Sequence, residues 1–227
     1  MGTLNGIKYY SAGSISTANG LDVQVCTPHR EWSSAEVTNL NNIYDYAGNT
    51  RVADPTTVYN CHSYAWYRHS PTNPYWISDI GQFLRDSSCT QVIPASSAQV
   101  NDIIIYLDSN GTPLHSGVVY NVNSSGELSI CSKWGQAGAY IHSVGNIPLG
   151  YCANPTTGEI RYRLYRYHDY ENKFTGNEYH SGVRHYFQYA DICEICDKQI
   201  NPTWKAIICS GPPCSLPMNL KVEQENS

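Results

Sequence analysis

The chain has 227 residues, of which 41% are apolar and 15% charged, with a formal charge of -5. That is enough for one domain of ordinary size plus a small appendage. The absence of a Lys/Arg cluster argues against a nucleic-acid surface, and no apolar run approaches the ~20 residues needed to span a bilayer. Met1-Gly2 leads straight into polar residues, without the order of charge and apolar run that marks a secretory signal.

Tyr is abundant, at 19 residues, while Lys is scarce and Ser, Thr, Asn and Gly are plentiful. Such a surface suits a protein working outside the cell. Nine cysteines are many for a cytosolic protein. Setting one aside as a reactive thiol leaves eight, an even number available for pairing, metal binding or burial.

In chain order, the first 30 residues are rich in Gly and Ser and read as irregular chain or a short hairpin around Asn19-Gly20. A helix begins near Ser33, where Ser33 and Glu36 have capping-box spacing. Val37, Leu40, Ile43 and Tyr44 then recur on one face, and Gly48 is the stop. The segment "TVYNCHSYAWYRH" predicts a short helix from about Cys61 to His69, ended by Ser70-Pro71. A third helix is expected after Pro74, with Trp76, Ile77, Ile80, Phe83 and Leu84 turned to the core.

From Val92 the pattern changes to strands: "NDIIIYLD", "HSGVVYNV", "ELSICS", "AYIHSV" and "EIRYRLYRYH". In the last of these Ile160, Tyr162 and Leu164 alternate with polar positions, the period of a half-buried strand. Helices followed by an antiparallel meander make an α+β domain over residues 1–168. Residues 169–227, with four of the nine cysteines and a polar tail, read as a separate small module.

A thiol becomes a nucleophile when its thiolate is stabilised, and a helix N-terminus and a nearby imidazole both do this. Cys61 falls at a predicted helix start. His115 opens a predicted strand about fifty residues later, directly after a tight turn. Taken alone, a Cys is most often core and a His most often a loop or strand partner; it is the ordered combination that points to catalysis.

The ordered segments "YNCHSYAW" and "VNDIIIYLDSNGTPLHSGVV", followed by a polar residue on a later strand, resemble the NlpC-type and CHAP-type papain-like cysteine peptidases and amidases. The resemblance covers roughly residues 55–145. Asn101-Asp102 stands where those families have Gly-Asp, and His115-Ser116-Gly117-Val118-Val119 where they have a His-Val-Gly strand. It implies a papain-like fold, with N-terminal helices packed on an antiparallel sheet, and a Cys61–His115 pair. A third polar group should orient the imidazole. Ser132 holds about the right position, and His142 is the better chemical orienter and is chosen here. His62 is expected to point away from the site, and His29, His69 and His168 to lie at the surface.

In the tail, Cys193 and Cys196 are followed after twelve residues by Cys209, and then by Cys214 across "SGPP". Two short-spaced pairs suit a structural zinc site of four thiolates, or two disulfides linking the halves. A redox CxxC lacks its usual strand-then-helix setting. The resemblance further implies a monomeric hydrolase, secreted or on a bacterial cell surface, cleaving amide bonds in peptidoglycan stem peptides or less readily in proteins, with no cofactor for the chemistry. The alternatives are an inactive glycan- or peptide-binding module on the same fold and a papain-like acyltransferase.

Overall fold

The computed structural model describes residues 2–167 apart from Ala47, together with four two-residue strands further on. The chain divides into two compact units, Met1–Asp169 and Tyr170–Ser227. In the second unit Arg184–His185 pairs with Ile207–Ile208, and Ile192–Cys193 with Lys198–Gln199. Cys196, Cys209 and Cys214 lie outside the described residues, and of Cys193 only the backbone is described. The zinc or disulfide expectation therefore falls on that undescribed part.

The first unit is α+β, with few helices and a large antiparallel sheet. It opens with a three-stranded sheet of β1 (Thr3–Leu4), β2 (Ile7–Ser16) and β3 (Asp22–Pro28), where irregular chain or a short hairpin was expected. Asn19-Gly20 is indeed its turn: Gly20 has φ +82° and its N–H bonds Thr17 O at 2.9 Å. Polar residues alternate with Ile7 and Tyr9 on β2 and with Val23 and Val25 on β3, buried pairs that pack into two different apolar clusters, and this hides the strands from a search for apolar runs.

Helix α1 (Ser34–Tyr44) has the expected capping box, with Ser33 Oγ accepting from Glu36 N–H and Glu36 accepting from Ser33 N–H. Its apolar stripe is nonetheless shallow: no residue of α1 is fully buried, and Ile43 is 57% exposed. Strand β4 (Thr50–Ala53) follows, then α2 (Cys61–Trp66), in which every side chain is buried. The helix expected after Pro74 shrinks to α3 (Gly81–Arg85), because Trp76 pairs its backbone with Cys26 of β3 through two 2.9 Å hydrogen bonds. A residue committed to a strand bridge cannot also form a helical turn.

Strands β5 (Cys89–Gln91), β6 (Ile103–Leu107), β7 (Pro113–Val122), β8 (Leu128–Lys133), β9 (Ala139–Ser143) and β10 (Arg161–Tyr167) complete a seven-stranded sheet with β4. The order is β4-β9-β8-β7-β6-β10-β5, all antiparallel neighbours. The meander β6–β9 is as expected, but β4 and β5 join its two sides and β10 returns to pair with β6. One apolar cluster gathers α2 and α3 residues such as Trp66 and Phe83 with Ile103, Ile105, Val118 and Cys131; another gathers Ile104, Tyr106, Val119, Ile130 and Leu164.

Two backbone details explain the residues flanking the strands. Asn101 has φ +73°, the left-handed region that Gly enters freely and Asn tolerates best among the rest. Asp102, next to it, is buried and receives Arg166 through two 2.8 Å bonds, tying the start of β6 to β10. On β7, a Cβ at Gly117 would lie 2.6 Å from Ile130 Cγ2 and 3.0 Å from Ser132 Cβ. The missing side chain lets β8 carry Ser132 close beside His115. Among the described residues no helix is long and apolar enough to cross a membrane.

Candidate active site

Cys61 is the first residue of α2. Asn60 caps the helix: its Oδ1 accepts from Ser63 N–H at 3.0 Å and from Ile77 N–H at 3.3 Å, while its Nδ2 donates to Ile77 O at 2.7 Å. The cap pins the helix start to the segment after Tyr75. The loop ahead of it is pinned by Glu31, which accepts from Thr57 N–H at 2.7 Å. The sulfur therefore sits on backbone fixed from both sides, and Cys61 is only 5% exposed.

Two imidazoles lie within hydrogen-bonding reach of that sulfur, His62 beside it on α2 and His115 on β7. Burial works to raise the thiol's pKa, but the neighbouring imidazoles of His62 and His115 and their hydrogen bonds to the sulfur outweigh it and hold Cys61 well below the usual thiol range. Reciprocally, His62 is raised: burial opposes its charge, and the Cys61 sulfur and then the Asp79 carboxylate favour it.

His115 is completely buried, its ring stacked on Tyr151 at 3.9 Å and 10° and flanked by Tyr106 at 5.6 Å. Its Nε2 is 3.0 Å from Ser132 Oγ, and Ser132 Oγ is 2.8 Å from His142 Nε2. His142 therefore does not hold His115 directly; Ser132 does, with His142 one step behind.

The partners fix where the protons sit. His142 Nδ1 is 2.8 Å from Ser143 O, which can only accept, so that nitrogen carries the proton and Nε2 is bare. The Ser132 hydroxyl must then donate to His142. Its oxygen receives the Trp134 indole N–H at 3.1 Å and the Nε2–H of His115. By elimination His115 Nδ1 is the bare nitrogen. It is buried, has no hydrogen-bond partner of full geometry among the described residues, and is the one left for the sulfur. Burial lowers His142 to about 4, which keeps it neutral and accepting over the ordinary pH range.

His62 is braced in a parallel way. Its Nδ1 is 2.8 Å from Ser116 Oγ, which also receives the Trp66 indole N–H at 3.1 Å. Each imidazole thus rests on a serine that an indole anchors. His62 was expected to point elsewhere on the helix. Adjacent residues on a helix are about 100° apart, but at the first turn both side chains reach the space ahead of the helix, a freedom that periodicity does not reveal.

Lys133 follows Ser132 and is fully buried. Its ammonium donates to Thr56 O at 3.2 Å, Gly135 O at 2.7 Å and Ala137 O, and lies 5.1 Å from the Tyr59 ring. Burial lowers its pKa to about 7, against the pull of Cys61 and Glu31. No protein-family model, curated protein or solved structure matches this chain.

His69 is not at the surface: it is buried, with Nε2 2.9 Å from Ala65 O, while His29 accepts from Lys8 N–H in an exposed setting and His168 lies outside the described residues. Among the described residues no three His, Cys, Asp or Glu side chains converge as a metal site would require. The chemistry on offer is that of a low-pKa thiolate with two braced imidazoles.

Proposed function

We propose that the chain is a papain-like cysteine hydrolase acting on amide bonds, most readily those of peptidoglycan stem peptides, in a secreted or cell-surface setting. The observation that carries the reading is Cys61 at a capped helix start, with His115 presenting a bare Nδ1 to it through the Ser132–His142 chain. Support for the substrate class comes from the ordered resemblance to NlpC-type and CHAP-type enzymes. Asn101 in the left-handed region supports it further, as the next best residue where those families have Gly.

The thiolate of Cys61 attacks the amide carbonyl and a sulfur–carbon bond forms. The Cys61 backbone N–H, which at the first helical position has no intrahelical acceptor, is available to the developing oxyanion. The carbon–nitrogen bond breaks as the departing amine takes a proton from an imidazolium. His115 Nδ1 then draws a proton from water, whose oxygen opens the thioester and frees the sulfur.

The test is alkylation of the intact protein by iodoacetamide from pH 4 to 9, with the modified cysteine located by mass spectrometry. Selective, rapid labelling of Cys61 well below the free thiol value of about 8.5 is expected, followed by release of new amino groups from stem-peptide fragments. A Cys61 that stays unmodified at every pH would sink the reading.

A further inference from the structure

Two imidazoles flank the sulfur, and one of them must supply the proton to the leaving group. We propose that His62 is a second catalytic imidazole: it rests as the cation paired with the Cys61 thiolate and protonates the departing amine, while His115 serves the incoming water. This rests on the cysteine-hydrolase reading and divides its proton traffic between two rings.

The geometry separates the two rings. His115 is closed in by Tyr151 and Tyr106, has no exposed surface, and donates Nε2–H into a chain that ends on a backbone carbonyl. His62 is 9% exposed, and the Asp79 carboxylate lies in its field. A cation on His62 is therefore favoured by both the Cys61 sulfur and the Asp79 carboxylate and keeps some contact with solvent. With both ring nitrogens protonated, Nδ1–H donates to Ser116 Oγ and Nε2–H faces the sulfur.

The groups around the sulfur are His62 on α2, His115 on β7, Lys133 on β8 and Tyr151 in the short helical turn Leu149–Tyr151. Those around His62 are Cys61 and Asp79. The proton count closes over one turnover. His62 gives its proton to the amine as the carbon–nitrogen bond breaks. Water then gives one proton to His115 and keeps the other on the new carboxylic acid. As the carbon–sulfur bond breaks, the proton on His115 crosses the sulfur to His62 and restores the resting ion pair.

The experiment compares the pH dependence of Cys61 alkylation by iodoacetamide in the wild type, His62→Gln and His115→Asn, together with p-nitrophenyl acetate turnover. For His62→Gln the alkylation midpoint should rise by at least about one pH unit, so that the rate at pH 6 falls about tenfold or more. The midpoint of His115→Asn should rise less. With p-nitrophenyl acetate, whose leaving group needs no proton, His115→Asn should give a single burst and then stall, whereas His62→Gln continues to turn over at pH 8. Ser116→Ala, which keeps the imidazole but removes its brace, should shift the midpoint in the same direction by less, and serves if His62→Gln does not fold. A His62→Gln profile that coincides with wild type, or a larger shift in His115→Asn, overturns the assignment and leaves the cysteine nucleophile standing. A wild-type Cys61 that never labels removes the nucleophile itself, and this proposal with it.

Discussion

The hydroxyl of Ser132 lies 3.0 Å from Nε2 of His115, and through it the imidazole is tied to a ring on the next strand. The serine contributes no charge. Its role is to accept one N–H and pass the direction of hydrogen bonding along, so that the bare nitrogen of His115 is the one left for Cys61.

Replacing Ser132 by Ala removes that acceptor and lets His115 exchange tautomers. Turnover of p-nitrophenyl acetate should fall by about 10- to 100-fold, corresponding to roughly 1.4–2.7 kcal/mol. Iodoacetamide alkylation of Cys61, which needs only the thiolate, should fall much less. Equal losses in both assays would mean that the serine only supports the fold.

His142 sets the acid limit of the chain. Its folded pKa, about 4, lies below the free value of about 6.5, so the unfolded protein binds the proton first. The associated stability is fully present above pH 6.5 and drains away as pH falls to 4, by up to roughly 3 kcal/mol. Below that value a proton on His142 Nε2 reverses the Ser132 hydroxyl and turns the chain against His115. Urea midpoints at pH 7 and 4.5 should differ in the wild type and differ less in His142→Asn.

Part of this site could be read from sequence and part could not. Cys61 and His115 announce themselves because a helix start and a strand start are local signals. The Ser132–His142 pairing depends on register: His142 lies opposite Ile130, not opposite Ser132, and reaches Ser132 diagonally across the β8–β9 ladder. No residue type encodes that offset. His62 was missed because the first turn of a helix does not obey the facing rule of its middle. In the fold, the continuous apolar run of β6 was legible, whereas β2 and β3 were masked by polar alternation and α3 was shortened by a backbone bridge far away in sequence.

Gly117 is a further point of sensitivity. Gly117→Ala puts a methyl group 2.6 Å from Ile130 Cγ2 and 3.0 Å from Ser132 Cβ, so these β8 neighbours must give way. A stability loss of about 1–3 kcal/mol is expected, and turnover should fall more than alkylation does. A thermal melt alongside the two assays separates the effects.

Asn101 tests the backbone argument without touching the site. Asn101→Gly should be neutral or slightly stabilising, whereas Asn101→Ala should cost about 1–2 kcal/mol through its φ of +73°. Two urea titrations decide it, and equal midpoints for both variants would count against backbone conformation as the reason for this residue.

Lys133→Met keeps the buried stem but strands three carbonyls, those of Thr56, Gly135 and Ala137. Leaving such acceptors without donors costs about 1–3 kcal/mol each where water cannot enter, so a loss of at least about 3 kcal/mol is expected by urea unfolding. A smaller change would mean that water replaces the ammonium.

The N-terminal sheet also reaches the loops on either side of the candidate site. Tyr9 donates its hydroxyl to Thr57 O, Gln136 Nε2 bonds Tyr9 Oη at 3.0 Å and Leu4 O at 3.1 Å, and Asn5 Nδ2 bonds Gln136 Oε1 at 2.9 Å. Residues 4 to 9 thus clasp both the approach to Cys61 and the loop that follows Ser132. A protease nick just ahead of Ile7 cuts Leu4 and Asn5 out of this clasp, so the loops beside Cys61 and Ser132 lose a support that lies more than fifty residues away in sequence.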